Sequence, residues 1–194
     1  MKRCDFRITL TVAALAVVLT ALAPGALIAD GRVFHGQWWR LATGPFIHAT
    51  WAHLVRDLAL VALAGIPYEA RLGRMIWILG LVVPPLVALH TVDWYCGLSG
   101  LSHALLAGAL AYEALRRRGR TRIAVLVLCA IATLKPFYEV VTGAPAFPMT
   151  LGAHIIQVPI AHAAGVLVGV ACVVARHLAC TPSGKPEEDP CVRC

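Results

Sequence analysis

Trp94-Tyr95-Cys96-Gly97-Leu98-Ser99-Gly100-Leu101-Ser102-His103-Ala104-Leu105-Leu106-Ala107-Gly108-Ala109-Leu110-Ala111-Tyr112 contains no Asp, Glu, Lys or Arg. A spanning helix needs about 20 mostly apolar residues, and this stretch has the length and the composition. It also carries a serine between two glycines and a histidine one helical turn later, polar groups that hydrocarbon disfavours. Five more apolar stretches accompany it: Ile8 to Ala29, Phe46 to Pro67, Met75 to Val92, Ile123 to Val141 and His154 to Ala175. The fold class read from this pattern is all-α: a polytopic membrane protein with six transmembrane helices. Residues 1–178 form one six-helix membrane domain and residues 179–194 a short Cys-containing cytoplasmic tail, with no repeat, linker or second domain.

Composition agrees. Of 194 residues, 59% are hydrophobic and 14% charged, against roughly 45–50% and about 25% in soluble domains. So few charges cannot cover the surface of a soluble protein this small. A soluble enzyme, a disordered chain and a nucleic-acid-binding module are therefore excluded as readings, despite a net charge of +7.

The basic residues account for that charge as topology. Lys2, Arg3 and Arg7 precede the first stretch, Arg71 and Arg74 follow the second, five arginines from Arg116 to Arg122 follow the fourth, and Arg176, Lys185 and Arg193 follow the sixth. Thirteen of seventeen lie on one side. Positive charge marks the cytoplasmic side, so both termini are expected in the cytoplasm. The lipid bilayer is a partner, and no nucleic acid is expected. The first stretch also resembles a signal peptide, with Ala21-Leu22-Ala23 as the cleavage context, but its 22 residues exceed the roughly 7–15 of a signal h-region. A retained helix is expected.

Ionisable groups inside the spans suggest function by default: His48, His53, Arg56, Asp57, His103, Lys135, Glu139 and His162. Lys135 and Glu139 are four apart, can pair on one helix face, and read as structural. Arg56 is given no role. His53, Ser99 and His162 all fall near the outer ends of their spans, with His53 and His162 about two turns in, if a loop before Ser99 dips into the membrane beside a wet cavity. A serine needs a base to take its proton, and the attacked carbonyl needs fixed donors for its developing charge. Glycines at 97 and 100 permit a tight turn and close backbone approach. His53 and Asp57 share a helix face. Small residues at Gly100, Ala104 and Gly108, and at Ala161, Gly165 and Gly169, let two spans pack closely and would bring Ser99 to His162.

These residues resemble the rhomboid intramembrane serine proteases over about residues 43 to 177. The second span holds His48-Ala49-Thr50-Trp51-Ala52-His53-Leu54-Val55-Arg56-Asp57; Glu69-Ala70-Arg71-Leu72-Gly73 is similar to the family's ExxxG element; Gly97-Leu98-Ser99-Gly100 is similar to its GxSG motif; and Ala161-His162-Ala163-Ala164-Gly165-Val166-Leu167-Val168-Gly169 to its AHxxGxxxG pattern. The resemblance implies Ser99 as nucleophile and His162 as general base, without a third acid. It implies an oxyanion hole built from the Ser99 backbone N–H and second-span side chains, His53 among them, with Gly97 in the surrounding loop. The other position is usually asparagine, and here it is Asp57. An ionised carboxylate offers no donor, so Asp57 departs from the pattern. His103 occupies a position that is often aromatic and packs on the base.

The context from Tyr95 to His103, with the small size of the chain, resembles the rhombosortase branch. That implies membrane-anchored substrate proteins with a C-terminal Gly-Gly sorting tail, a transmembrane helix and a basic end. No cofactor and no metal are expected. A zinc protease would want His-Glu-x-x-His, and the chain has no His-Glu dipeptide; a cluster of His48, His53, His103 and His154 is the remaining metal alternative. A general rhomboid protease of other substrates, or an inactive rhomboid-like binder, is the functional alternative. Cys191-Val192-Arg193-Cys194 has a CxxC spacing that alone is a weak metal signal.

Overall fold

A computed structural model describes residues 6–22, 25–144, 146 and 157–180. These residues form seven α-helices: α1 Arg7–Leu22, α2 Trp39–Thr43, α3 Trp51–Leu72, α4 Arg74–Ala88, α5 Ser99–Arg116, α6 Gly119–Thr142 and α7 Pro159–Cys180. Two 3-10 turns, Gly31–His35 and Gly44–Phe46, flank α2. One antiparallel ladder of two residues per strand, β1 Ala29–Asp30 with β2 Trp94–Tyr95, ties the loop after α1 to the loop before α5.

Each of the six apolar stretches contains one long helix, but several begin or end elsewhere than the apolar pattern suggested. The first helix ends at Leu22 rather than running to Ala29, which is strand; the sequence turns to Pro24-Gly25 there, and proline cannot continue a helix. The second stretch breaks between Phe46 and Trp51, where the chain bends by 98°. Thr50 is extended and its side chain accepts from the His53 N–H at 3.1 Å. It is an N-cap, so His53 lies in the first turn of α3, not two turns in. The fourth helix starts at Ser99 rather than Trp94, because Gly97 has φ 101°, a left-handed conformation that ends helical continuity. The sixth starts at Pro159, a residue suited to a first helical position, so His162 is also in a first turn; His154 lies outside the described residues, as do Cys191 and Cys194.

By length and composition, α6 and α7 are each able to cross a membrane, and the bent pair Trp39–Phe46 with Trp51–Leu72 is a third candidate. Helices α1 and α4 are apolar but shorter, at 16 and 15 residues.

Helix α5 is central, packed against α3, α4, α6 and α7. Its tightest partner is α7. A Cβ on Gly165 would overlap the Gly100 carbonyl, and one on Gly169 would overlap the Ala104 carbonyl. The two backbones touch along the small-residue seam. Helix α1 joins the core through Val12 and Ala16, and Glu69 of α3 caps it. The buried carboxylate accepts from the backbone N–H of Ile8 at 2.8 Å and of Thr9 at 2.7 Å, and from the Thr9 hydroxyl at 2.6 Å. A carboxylate at orphan N–H groups also suits the positive end of the helix. In α6, Lys135 and Glu139 pair at 2.8 Å, and Glu139 also accepts from the Ala146 N–H at 3.0 Å.

Outside the helices, Asp30 accepts from the Arg32 backbone and guanidinium. The Arg32 guanidinium holds its carboxyl down to about 2, below the ordinary 3.8.

Candidate active site

Ser99 is the first residue of α5, so its N–H has no helical carbonyl to bond. Three side chains from other parts of the chain fix the loop in front of it. His48 Nε2 accepts from the Leu98 N–H at 3.3 Å. The Tyr95 hydroxyl accepts from the Gly100 N–H at 3.3 Å. Gly97 lies against His53: a Cβ there would meet His53 Cε1 at 2.7 Å, His53 Nε2 at 2.8 Å and Asp57 Oδ2 at 3.2 Å. Position 97 thus requires glycine twice, for its φ and for the absence of a side chain.

The histidines divide into two groups. On the α3 side, Asp57 is buried with Oδ2 3.3 Å from His48 Nε2 and 3.4 Å from His53 Nε2. Neither contact has hydrogen-bond geometry, and Asp57 Oδ2 and His53 Nδ1 are buried without a hydrogen-bond partner among the described residues. His48 Nδ1 faces the Phe46 carbonyl at 3.3 Å and the Thr20 hydroxyl at 3.3 Å. A carbonyl only accepts and a backbone N–H only donates. His48 therefore carries its proton on Nδ1 and presents the lone pair of Nε2 to Leu98, with Asp57 beside it.

On the α7 side, His103 Nδ1 lies 2.7 Å from the Ser99 carbonyl. That oxygen only accepts, so the His103 proton is on Nδ1. The His103 ring stacks on His162 with centroids 4.2 Å apart and planes 7° from parallel. His162 Nδ1 is buried with no hydrogen-bond partner among the described residues. The ring partner of His162 is His103, and that stack is anchored on the carbonyl of Ser99 itself. His162 stands one turn before Gly165, whose backbone touches Gly100, so the seam sets α7 against the first turn of α5.

All six residues singled out from the sequence, Ser99, His162, His53, Asp57, Gly97 and His103, lie at one end of the bundle around the start of α5. Two others do comparable structural work there. His48 was read as an ionisable group in a span, as part of the second-span motif and as a member of the metal alternative, and Tyr95 only as context. The stretch from His48 to Asp57 in the second-span motif includes the first; nothing in the pattern marks the second. Among the described residues, no three His, Cys, Asp or Glu side chains form a group able to hold a metal ion; His154 of the metal alternative lies outside them.

The family model for the Rhomboid domain matches residues 35–178, which covers every residue of this site. The chain belongs to the rhomboid family. No curated protein matches it. Rhomboid domains are helical membrane folds with an intramembrane protease-type function, and rhomboid proteases act on membrane-protein substrates within the bilayer. The shared domain includes α2, α3 and the site loop, and the match begins after α1.

Proposed function

We propose that this rhomboid is an intramembrane serine endopeptidase with Ser99 as nucleophile and His162 as general base. Its six long helices span a bacterial inner membrane with both termini in the cytoplasm and the Ser99 end toward the outer face. The observation that carries the reading is the chain of contacts from the Ser99 carbonyl to His103 Nδ1 and from the His103 ring to His162. It makes the orientation of the base depend on the residue it is to activate.

In this reading a substrate helix unwinds near the outer surface and presents an extended segment to Ser99. Glycines in the substrate lower the cost, because glycine is a poor helix former. Ser99 Oγ attacks the scissile carbonyl as His162 takes the proton; the amine leaves with that proton; His162 then activates water against the acyl-enzyme. The oxyanion is received by the Ser99 N–H, at the positive end of α5, and by His53. Asp57 takes no part as a donor; it lies beside the Nε2 atoms of His48 and His53, whose rings meet edge to face with centroids 5.0 Å apart. The substrates are membrane-anchored proteins with Gly-Gly sorting tails, as in the rhombosortase branch, and cleavage removes the tail.

Fluorophosphonate labelling of membranes containing wild type, Ser99→Ala and His162→Ala tests the dyad. Labelling of wild type alone is expected, followed by cleavage of a Gly-Gly-tailed reporter. Equal labelling of wild type and Ser99→Ala sinks the assignment. No labelling of folded wild type turns the reading toward a substrate-binding, inactive rhomboid.

A further inference from the structure

Helix α1 buries four side chains, Thr9, Val12, Ala16 and Thr20. Their spacing puts them on one helix face, and both ends of that face are threonine. Thr9 is taken by Glu69. The Thr20 hydroxyl donates to the Phe46 carbonyl at 3.0 Å and lies 3.3 Å from His48 Nδ1. A helical threonine often bonds the carbonyl four residues back in its own helix, as Thr11 does to Arg7 at 2.8 Å. Thr20 instead reaches across to the chain ahead of α3, as hydroxyls between apolar helices do. Helix α1 lies ahead of residues 35–178, the part of the chain that matches the Rhomboid domain. The shared domain therefore does not include this contact.

His48 is buried, and its single proton can rest on either ring nitrogen. At Nε2 two neighbours compete. The Leu98 N–H, 3.3 Å away, needs a lone pair there. Asp57 Oδ2, also 3.3 Å away, favours a proton there. At Nδ1 both neighbours ask for the proton. The Phe46 carbonyl at 3.3 Å only accepts. The Thr20 hydroxyl, having given its own proton to Phe46, presents a lone pair. Thr20 and Phe46 together place the proton on Nδ1 against the pull of Asp57, and Nε2 stays free for Leu98. The Leu98 carbonyl in turn accepts from the Ser102 N–H at 2.8 Å. Leu98 is thus held at both ends, and its carbonyl shares a rigid peptide plane with the Ser99 N–H. The aim of that N–H depends on His48, and the tautomer of His48 depends on a hydroxyl from α1.

We infer that Thr20 is a positioning residue for the reaction: from α1 it fixes the tautomer of His48, and through His48 and Leu98 it aims the Ser99 N–H at the oxyanion. Its effect on rate rests on the reading of Ser99 and His162 as the dyad. Its effect on the tautomer stands apart from that reading.

The test uses the full chain in detergent micelles, with Thr20→Val, which exchanges the hydroxyl for a methyl of similar size, and Thr20→Ser, which keeps the hydroxyl. Nitrogen-15 NMR of histidine-labelled protein reads the tautomer, and His48→Gln identifies the His48 signals. The rate of fluorophosphonate labelling reads the site. Wild type and Thr20→Ser are expected to carry the proton on Nδ1 and to label at similar rates. Thr20→Val is expected to show a mixture of tautomers and to label about fivefold more slowly, the worth of one hydrogen bond. A wild-type proton on Nε2 overturns the inference without any variant. A Thr20→Val protein that keeps its proton on Nδ1 overturns the route through His48. A mixed tautomer with wild-type labelling overturns the effect on Ser99. Thr20→Ser as slow as Thr20→Val overturns it as well, because packing of the lost methyl would then be the cause. A folded wild type that does not label fails the dyad reading instead, and the tautomer still decides whether Thr20 sets His48.

Discussion

Gly165→Ala is the sharpest test of how the seam between α5 and α7 serves the site. The added Cβ would overlap the Gly100 carbonyl oxygen and lie 3.1 Å from the Gly100 carbonyl carbon and 3.3 Å from the Ala104 nitrogen. All three neighbours are backbone, so no side chain can swing aside. Helix α7 must move away instead. Restoring ordinary contact takes a shift on the order of 1 Å, a misplacement able to cost about 100-fold in rate. The shift acts directly on His162, one turn away, while overpacking costs about 1–3 kcal/mol of stability. The assay is the rate of fluorophosphonate labelling alongside a thermal melt. The expected outcome is about a 100-fold slower rate in protein that still melts cooperatively. A folded variant that labels at the wild-type rate would falsify the claim that this backbone contact sets the distance between Ser99 and His162.

His103→Ala removes the ring that orients His162 and is expected to slow labelling about tenfold, while His103→Phe keeps much of the stack; equal rates for both variants and wild type would remove His103 from the site. Asp57→Asn places an amide N–H within reach of the His48 lone pair and is expected to raise the melting temperature by a bond worth about 1 kcal/mol, with labelling equal to or faster than wild type; a loss of both shows instead that the carboxylate is required. Glu69→Ala strands two backbone N–H groups of α1 and should cost about 1–3 kcal/mol, with Glu69→Gln intermediate; an unchanged melt of the alanine variant contradicts the cap. Asp30 is held down to about 2 by Arg32, so its contribution to stability is present above the ordinary value of 3.8 and is lost as pH falls through about 2. The melting difference between wild type and Asp30→Asn, small because the pair is exposed to screening solvent, should vanish over that window; a difference that grows on acidification refutes the pairing.

The helices were legible because hydrocarbon imposes a long apolar period, and six apolar stretches each yielded a long helix. Their ends were not, because composition is blind to backbone conformation. Ser99 begins α5 because Gly97 adopts φ 101°, and α3 begins at Trp51 because Thr50 caps it. Neither event changes the hydrophobicity of the stretch. The close-packed seam was legible from its small residues, since their spacing is itself the cause of the contact. The role of Tyr95 was not, because its hydroxyl bonds a backbone N–H five residues on, a contact any residue pattern around it would permit. His48 was visible as an anomaly in an apolar stretch, but its partner Leu98 is fifty residues away, and only the packed bundle pairs them.

The loop before α5 has one more consequence. Its shape is enforced by His48 from the chain ahead of α3, by His53 within α3, and by Tyr95 from the small ladder. Gly97-Leu98-Ser99-Gly100 is therefore not a portable part. Grafted onto the start of another helix, it would carry a hydroxyl and leave its scaffold behind. A designer wishing to move this serine would have to transplant contacts from three separate regions of the chain, and the smallest unit that can be inherited intact is the bundle.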